Sequence, residues 1–129
     1  VRVIRAGEEM IVGDIRVEAV PSYNADKDFH PRAMNWVGFI VTMRGKRIYY
    51  CGDTDFIPEM RDIRADIVIA PVGGTYTMTA EEAARAVNVI KPEAAIPIHF
   101  GDIVGSMEDA ERFRDLCECP VEIKPVLSA

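Results

Sequence analysis

A mixed α/β fold with helices laid over a sheet is predicted by three features of the chain. Strand-like runs fill its first half. Its second half alternates strand, helix, strand, helix and strand. Residues 66–72 (Asp-Ile-Val-Ile-Ala-Pro-Val) form a near-continuous apolar run, the pattern of a strand covered on both faces.

Taken in order, residues 1–5 and 15–20 read as strands, rich in β-branched side chains and bounded by Gly7 and Gly13. Residues 21–35 form a polar loop with two prolines, too long for a tight hairpin turn and of a length often tied to function. A strand resumes over 36–43, and Arg44-Gly45-Lys46 turns it into another over 47–51. Residues 57–63 suggest a short helical turn. After the 66–72 strand, Gly73-Gly74 breaks the run, and Thr79 with Glu82 three residues on spells a capping box. The helix it opens places Ala83, Val87 and Ile90 on one face, with Ala86 beside them, and Pro92 closes it. A strand follows over 94–98, with Pro97 marking an edge or an end. Ser106 starts a second helix with Ala110, Phe113 and Leu116 inward and acids in its first turn; residues 121–126 end the pattern as a short strand.

At 129 residues the chain fits a single domain, 1–129, large enough to bury a core. Its 49% hydrophobic and 28% charged residues are those of a soluble globular protein. No apolar run approaches a membrane span and no signal-peptide pattern opens the chain. A net charge of −6 argues against a grip on nucleic-acid phosphates. Three cysteines, Cys51, Cys117 and Cys119, suggest no disulfide framework, so a reducing cytoplasm is the expected compartment. Cys117-Glu118-Cys119 could bind metal, but no second pair accompanies it; two thiols at a helix end is the plainer alternative.

Two segments carry the chemistry. Each ends a strand-like run on a metal-binding side chain: Tyr49-Tyr50-Cys51-Gly52-Asp53-Thr54-Asp55 and Ile96-Pro97-Ile98-His99-Phe100-Gly101. Positions just past the carboxyl ends of strands are where α/β folds place chemistry. Asp53 follows a glycine that lets the backbone bend and expose the carboxylate. The competing account is a simple Gly-Asp-Thr turn and a structural histidine. His30 and His99 are the only histidines, with no His-x-His pair, so the chain carries half of a metal site.

Together with Ala19-Val20-Pro21-Ser22-Tyr23-Asn24 and Ala70-Pro71-Val72-Gly73-Gly74-Thr75-Tyr76-Thr77-Met78, these segments resemble the metallo-β-lactamase superfamily, most closely its small hydrolases of the ascorbate-phosphate-lactonase-like type. The resemblance covers the whole chain but only the carboxyl-terminal half of such a fold. It implies half of an αββα sandwich: a mixed β-sheet with two main helices. It further implies that Asp53 bridges two metal ions and that His99 is the last histidine ligand. Asn24 stands where many members place a histidine, and His30 on the long loop is the candidate substitute. Asp55 would act behind the ligands and Tyr76 would contact substrate. The expected cofactor is a divalent metal, zinc with manganese or iron as alternatives. The expected chemistry is attack of activated water on an ester, lactone or phosphodiester of a small molecule.

The family's amino-terminal His-x-His-x-Asp-His segment has no counterpart in these 129 residues. A catalytic zinc needs about three protein ligands and an open position. By itself the chain is therefore expected to be a poor enzyme, starting at Val1 rather than Met, with either a missing amino-terminal half or self-association completing it. The alternative is a non-enzymatic α/β binding or interaction module. A nuclease is disfavoured by the acidic balance.

Overall fold

The computed structural model describes residues 3–24, 36–74, 77–98 and 106–124. Six strands form one sheet in chain order: β1 (Glu9–Val12), β2 (Ile15–Pro21), β3 (Val37–Met43), β4 (Lys46–Tyr50), β5 (Ile67–Pro71) and β6 (Ala94–Ile98). The first four run antiparallel; β4, β5 and β6 are parallel. That switch in direction requires crossovers, and the helical segments supply them. A 3₁₀ turn at Pro58–Asp62 lies between β4 and β5, and α1 (Ala80–Ile90) lies between β5 and β6. The second helix, α2 (Met107–Leu116), packs on α1 and β6.

The mixed α/β class expected from the sequence is the class observed, and most strands fall within a residue or two of the expected bounds. The first strand does not. Residues 3–5 are not strand; a turn at residues 5–8, with Gly7 at φ 89°, precedes β1. β1, at the sheet edge, opens on the exposed Glu9, a position where solvated side chains are tolerated. Of the last expected strand, Val121 makes one bridge to Ala95, residues 122–124 are not strand, and 125–129 lie outside the described residues.

The helix ends follow the expected chemistry with one exchange. Thr79 accepts from the Glu82 N–H at 3.2 Å, but the Glu82 carboxylate accepts from the Thr79 hydroxyl rather than from its backbone N–H. The reciprocal capping box is at α2 instead, where Ser106 accepts from the Asp109 N–H and Asp109 accepts from the Ser106 N–H at 2.7 Å. Ala110 and Phe113 face inward as expected; Leu116, in the last turn of α2, is exposed.

The two faces of the sheet differ sharply. Glu18, Ile40, Tyr49, Val68 and Ala95 are in register across β2 to β6, and the last four are nearly inaccessible under Ala83, Val87 and Ile90 of α1 and Phe113 of α2. The neighbouring rows point the other way. Val17, Val41, Ile48, Ile67 and Ala94 form one; Ala19, Phe39, Tyr50, Ile69 and Ile96 form the next. Apart from Ala19 these are only partly buried, and Tyr50 is 40% exposed where its neighbour Tyr49 is 0%. Every one of the ten is uncharged, and all but the tyrosine hydroxyl is apolar surface. Among the described residues no helix covers this second face. The 66–72 run is therefore apolar on both faces, as its sequence says; Val68 and Ala70 are buried under the helices, while Ile67 and Ile69 are only partly buried.

Candidate functional site

At the edge where β4, β5 and β6 end, three loops meet. The first leaves β2 at residues 22–24, the second leaves β4 at 51–55, and the third leaves β5 at 72–74, with residues 77–79 returning to it. Register explains the meeting. Tyr50 pairs with Ile69, and Pro71 two residues on pairs with Ile98. The carboxyl ends of β4, β5 and β6 thus lie on the same side of the sheet, the one expected to carry chemistry in a parallel arrangement. Cys51 continues the ladder with its N–H on the Ile69 carbonyl at 3.1 Å. Gly52 then turns the chain at φ 74°, a left-handed conformation that favours glycine. A Cβ there would also stand 3.2 Å from Ser22 Oγ.

The turn is tied to both neighbouring loops. Ser22 Oγ donates to the Asp53 carbonyl at 3.4 Å. The Asp55 N–H donates to the Tyr23 carbonyl at 3.0 Å, and the Met78 N–H donates to the Thr54 carbonyl at 3.1 Å. Thr54 is fully buried; its hydroxyl accepts from the Tyr23 N–H at 3.0 Å and donates to the Tyr23 carbonyl at 2.9 Å. The Tyr23 hydroxyl in turn reaches the Glu59 carboxylate on the 3₁₀ turn, 2.8 and 3.1 Å from its two oxygens.

Of the expected site residues, the structure brings Asp53, Asp55 and Asn24 onto these adjoining loops. Asp53 is partly exposed, whereas Asp55 and Asn24 are buried at 4% and 3%. His99 follows Ile98 directly in sequence, but His99, His30 and Tyr76 lie outside the described residues. Among the described residues no three His, Cys, Asp or Glu side chains are grouped to hold a metal ion, and Cys117 and Cys119 gain no third ligand. The sequence reading passed over Thr54, Tyr23 and Glu59. Thr54 stood inside the Gly-Asp-Thr motif; nothing local pointed to its partner, 31 residues away.

Beneath the turn the environment is apolar. Burial pushes the Cys51 thiol up to about 12, so it stays protonated, and burial likewise raises Tyr49 well above the ordinary phenol range, with Cys51 adding to it. Cys51 is a buried packing thiol and not a nucleophile.

The sequence profile of the beta-lactamase superfamily domain matches residues 1–99. A UPF0173 metal-dependent hydrolase of Thermoplasma acidophilum is 39% identical over 106 residues, which is 79% of this chain and 47% of the relative. One from Archaeoglobus fulgidus is 36% identical over 112 residues, 79% of this chain and 48% of the relative. The chain spans about half the length of the curated relatives it matches. Among solved structures, a protein assigned as a metal-dependent hydrolase from Parabacteroides distasonis superposes with a TM-score of 0.85 at 34% identity, covering 98% of this chain and 58% of that one. A metallo hydrolase from Ignicoccus hospitalis shares the fold, with a TM-score of 0.74 at 22% identity, over 94% of this chain and 56% of that one.

Proposed function

The chain belongs to the beta-lactamase superfamily domain family, and on that premise we propose that it is the carboxyl-terminal part of a metal-dependent hydrolase, with Asp53 as a ligand. The observation that carries this reading is the placement of Asp53: a partly exposed residue, on a turn held by two other loops, at the sheet edge where β6 stops one residue short of His99. A carboxylate oxygen and an imidazole nitrogen suit zinc, manganese and iron alike.

The described residues fit such an ion in kind but do not complete its coordination. Asp53 would hold it, His99 would be the second ligand and His30 the candidate third; Asn24 and Asp55 would line the site from the adjoining loop and turn. When bound, a divalent cation supplies Lewis acidity for hydrolysis of an ester, lactone or phosphodiester. The chain's own contribution is to hold the Asp53 turn still and to keep its underside dry, with Cys51 protonated and Tyr49 un-ionised beneath it. Tyr76 would contact substrate, and the net charge of −6 favours a small molecule over a nucleic acid.

The second face of the sheet, which no helix among the described residues covers, supports a further part of the reading. A layer of Val, Ile and Phe without a charged side chain is a packing surface. The rest of a longer polypeptide, of the length its relatives have, would cover it and bring the remaining ligands. Hydrolysis by residues 1–129 alone is accordingly not expected.

The test is elemental analysis of the full-length protein beside an Asp53→Ala, His99→Ala double variant. Bound zinc, manganese or iron that disappears in the folded double variant is the expected result. No metal in either protein would leave the non-enzymatic module as the better account.

A further inference from the structure

We propose that Thr54 is a positioning residue for Asp53, acting through a hydrogen-bonded clasp on Tyr23; the proposal rests on the reading of Asp53 as a metal ligand. Thr54 has no accessible surface, and its hydroxyl spends both capacities on one residue of another loop. It accepts from the Tyr23 N–H at 3.0 Å and donates to the Tyr23 carbonyl at 2.9 Å, with the Asp55 carbonyl at 3.0 Å as the alternative acceptor. The Asp55 N–H closes on the same Tyr23 carbonyl.

A packing role alone would not need this chemistry. Valine has the same shape, and a buried hydroxyl must be hydrogen-bonded to be tolerated at all. What the hydroxyl adds is direction. Threonine's branched Cβ restricts its rotamer, so a pair of bonds to the N–H and carbonyl of one residue fixes the spacing and the tilt of the two loops together. Tyr23 is itself tethered at the far end of its ring by Glu59. The result is a continuous connection from the 3₁₀ turn through Tyr23 to Thr54, the residue next to the ligand. Asn24, adjacent to Tyr23 on the other side, is held by the same clasp.

Groups that orient a ligand from behind typically change metal affinity 10–100-fold when removed. Zinc affinity of the full-length protein, measured by chelator competition, is therefore expected to fall at least about tenfold in Thr54→Val and Thr54→Ala and to stay within about threefold in Thr54→Ser. The visible absorption of bound cobalt(II), which reports coordination geometry and not stability, should shift in the first two and return in the serine variant. Thr54→Ala carries the test if the valine variant does not fold; loss of folding in both would assign Thr54 to stability and overturn the proposal. Unchanged zinc affinity and cobalt spectra in the folded variants would also overturn it, with Asp53 still a ligand. Failure of the ligand reading looks different: Asp53→Ala would then bind zinc as the wild type does, or the wild type would bind none, and the clasp proposal would fall with it.

Discussion

Replacing Gly38 with alanine should destabilise the sheet beside the candidate site. Gly38 lies in β3, opposite Val20 of β2. A Cβ at this position would stand 2.7 Å from the Tyr50 carbonyl oxygen and 2.8 Å from that of Cys51. Both atoms are backbone, in the stretch where β4 turns off the sheet toward Gly52, so neither can rotate aside. Overpacking costs about 1–3 kcal/mol, and two rigid contacts below van der Waals distance place this one at roughly 2–3 kcal/mol. For a chain of this length each kcal/mol moves the melting temperature by about 3–5 °C, which gives a fall of about 6–15 °C. Thermal unfolding followed by far-ultraviolet circular dichroism, with urea titration as a check on the unfolding free energy, reads the effect directly. A Gly38→Ala protein that melts within about 2 °C of the wild type would show that β3 and β4 separate at little cost, and the argument from close approach would be wrong.

Two further outcomes follow from the sheet and its thiols. Residues 1–129 expressed alone should self-associate and bind an apolar dye through the second face of the sheet, and Val41→Lys with Ile69→Lys should reduce both; a monomeric, dye-silent wild-type chain in sedimentation at high concentration would refute the packing-surface reading. The Cys117 thiol is pushed up to about 12 by burial, with Cys119 adding to it, against an unfolded value near 9.0. Between those values the folded chain keeps a proton that the unfolded chain releases, so this contribution to stability is complete below about pH 9 and is lost as pH rises toward 12. Urea unfolding across that range should show the decline, smaller in Cys117→Ser, and an equal decline in both proteins would contradict it.

How much could be read from the sequence depended on whether the controlling contact was local. Gly52 announced its left-handed turn because a glycine before Asp-Thr at a strand end has few other uses, and its φ of 74° agrees. The faces of α1 were legible from spacing alone: Ala83, Val87 and Ile90 are all buried. Leu116 fitted the same periodicity on α2, yet it is exposed, because spacing says which face a residue shares and not how far the packing reaches along that face. Gly38 gave no sign, since the chain that excludes its side chain arrives from the next strand.

The site divides in the same way. Asp53 was legible as a strand-end carboxylate, and Thr54 sat in plain view as a turn residue. Its partner could not be inferred, because a hydroxyl bonded to the backbone of Tyr23 leaves no requirement on the partner's side chain and so writes nothing into the sequence. The sheet face that no described helix covers is the converse case. There the sequence is the fuller record: Ile67 and Ile69 alternate with Val68 and Ala70, so β5 is written for burial on two sides, and the described helices cover only one. A strand that carried its water-facing side in its final state would have placed polar side chains at alternate positions of that row. The composition of β5 therefore bears on what packs against this chain, independently of any ligand: the surface that meets the second face should be apolar and extended, and the Asp53 turn at its margin would then lie at the rim between two layers, a position open to residues from both.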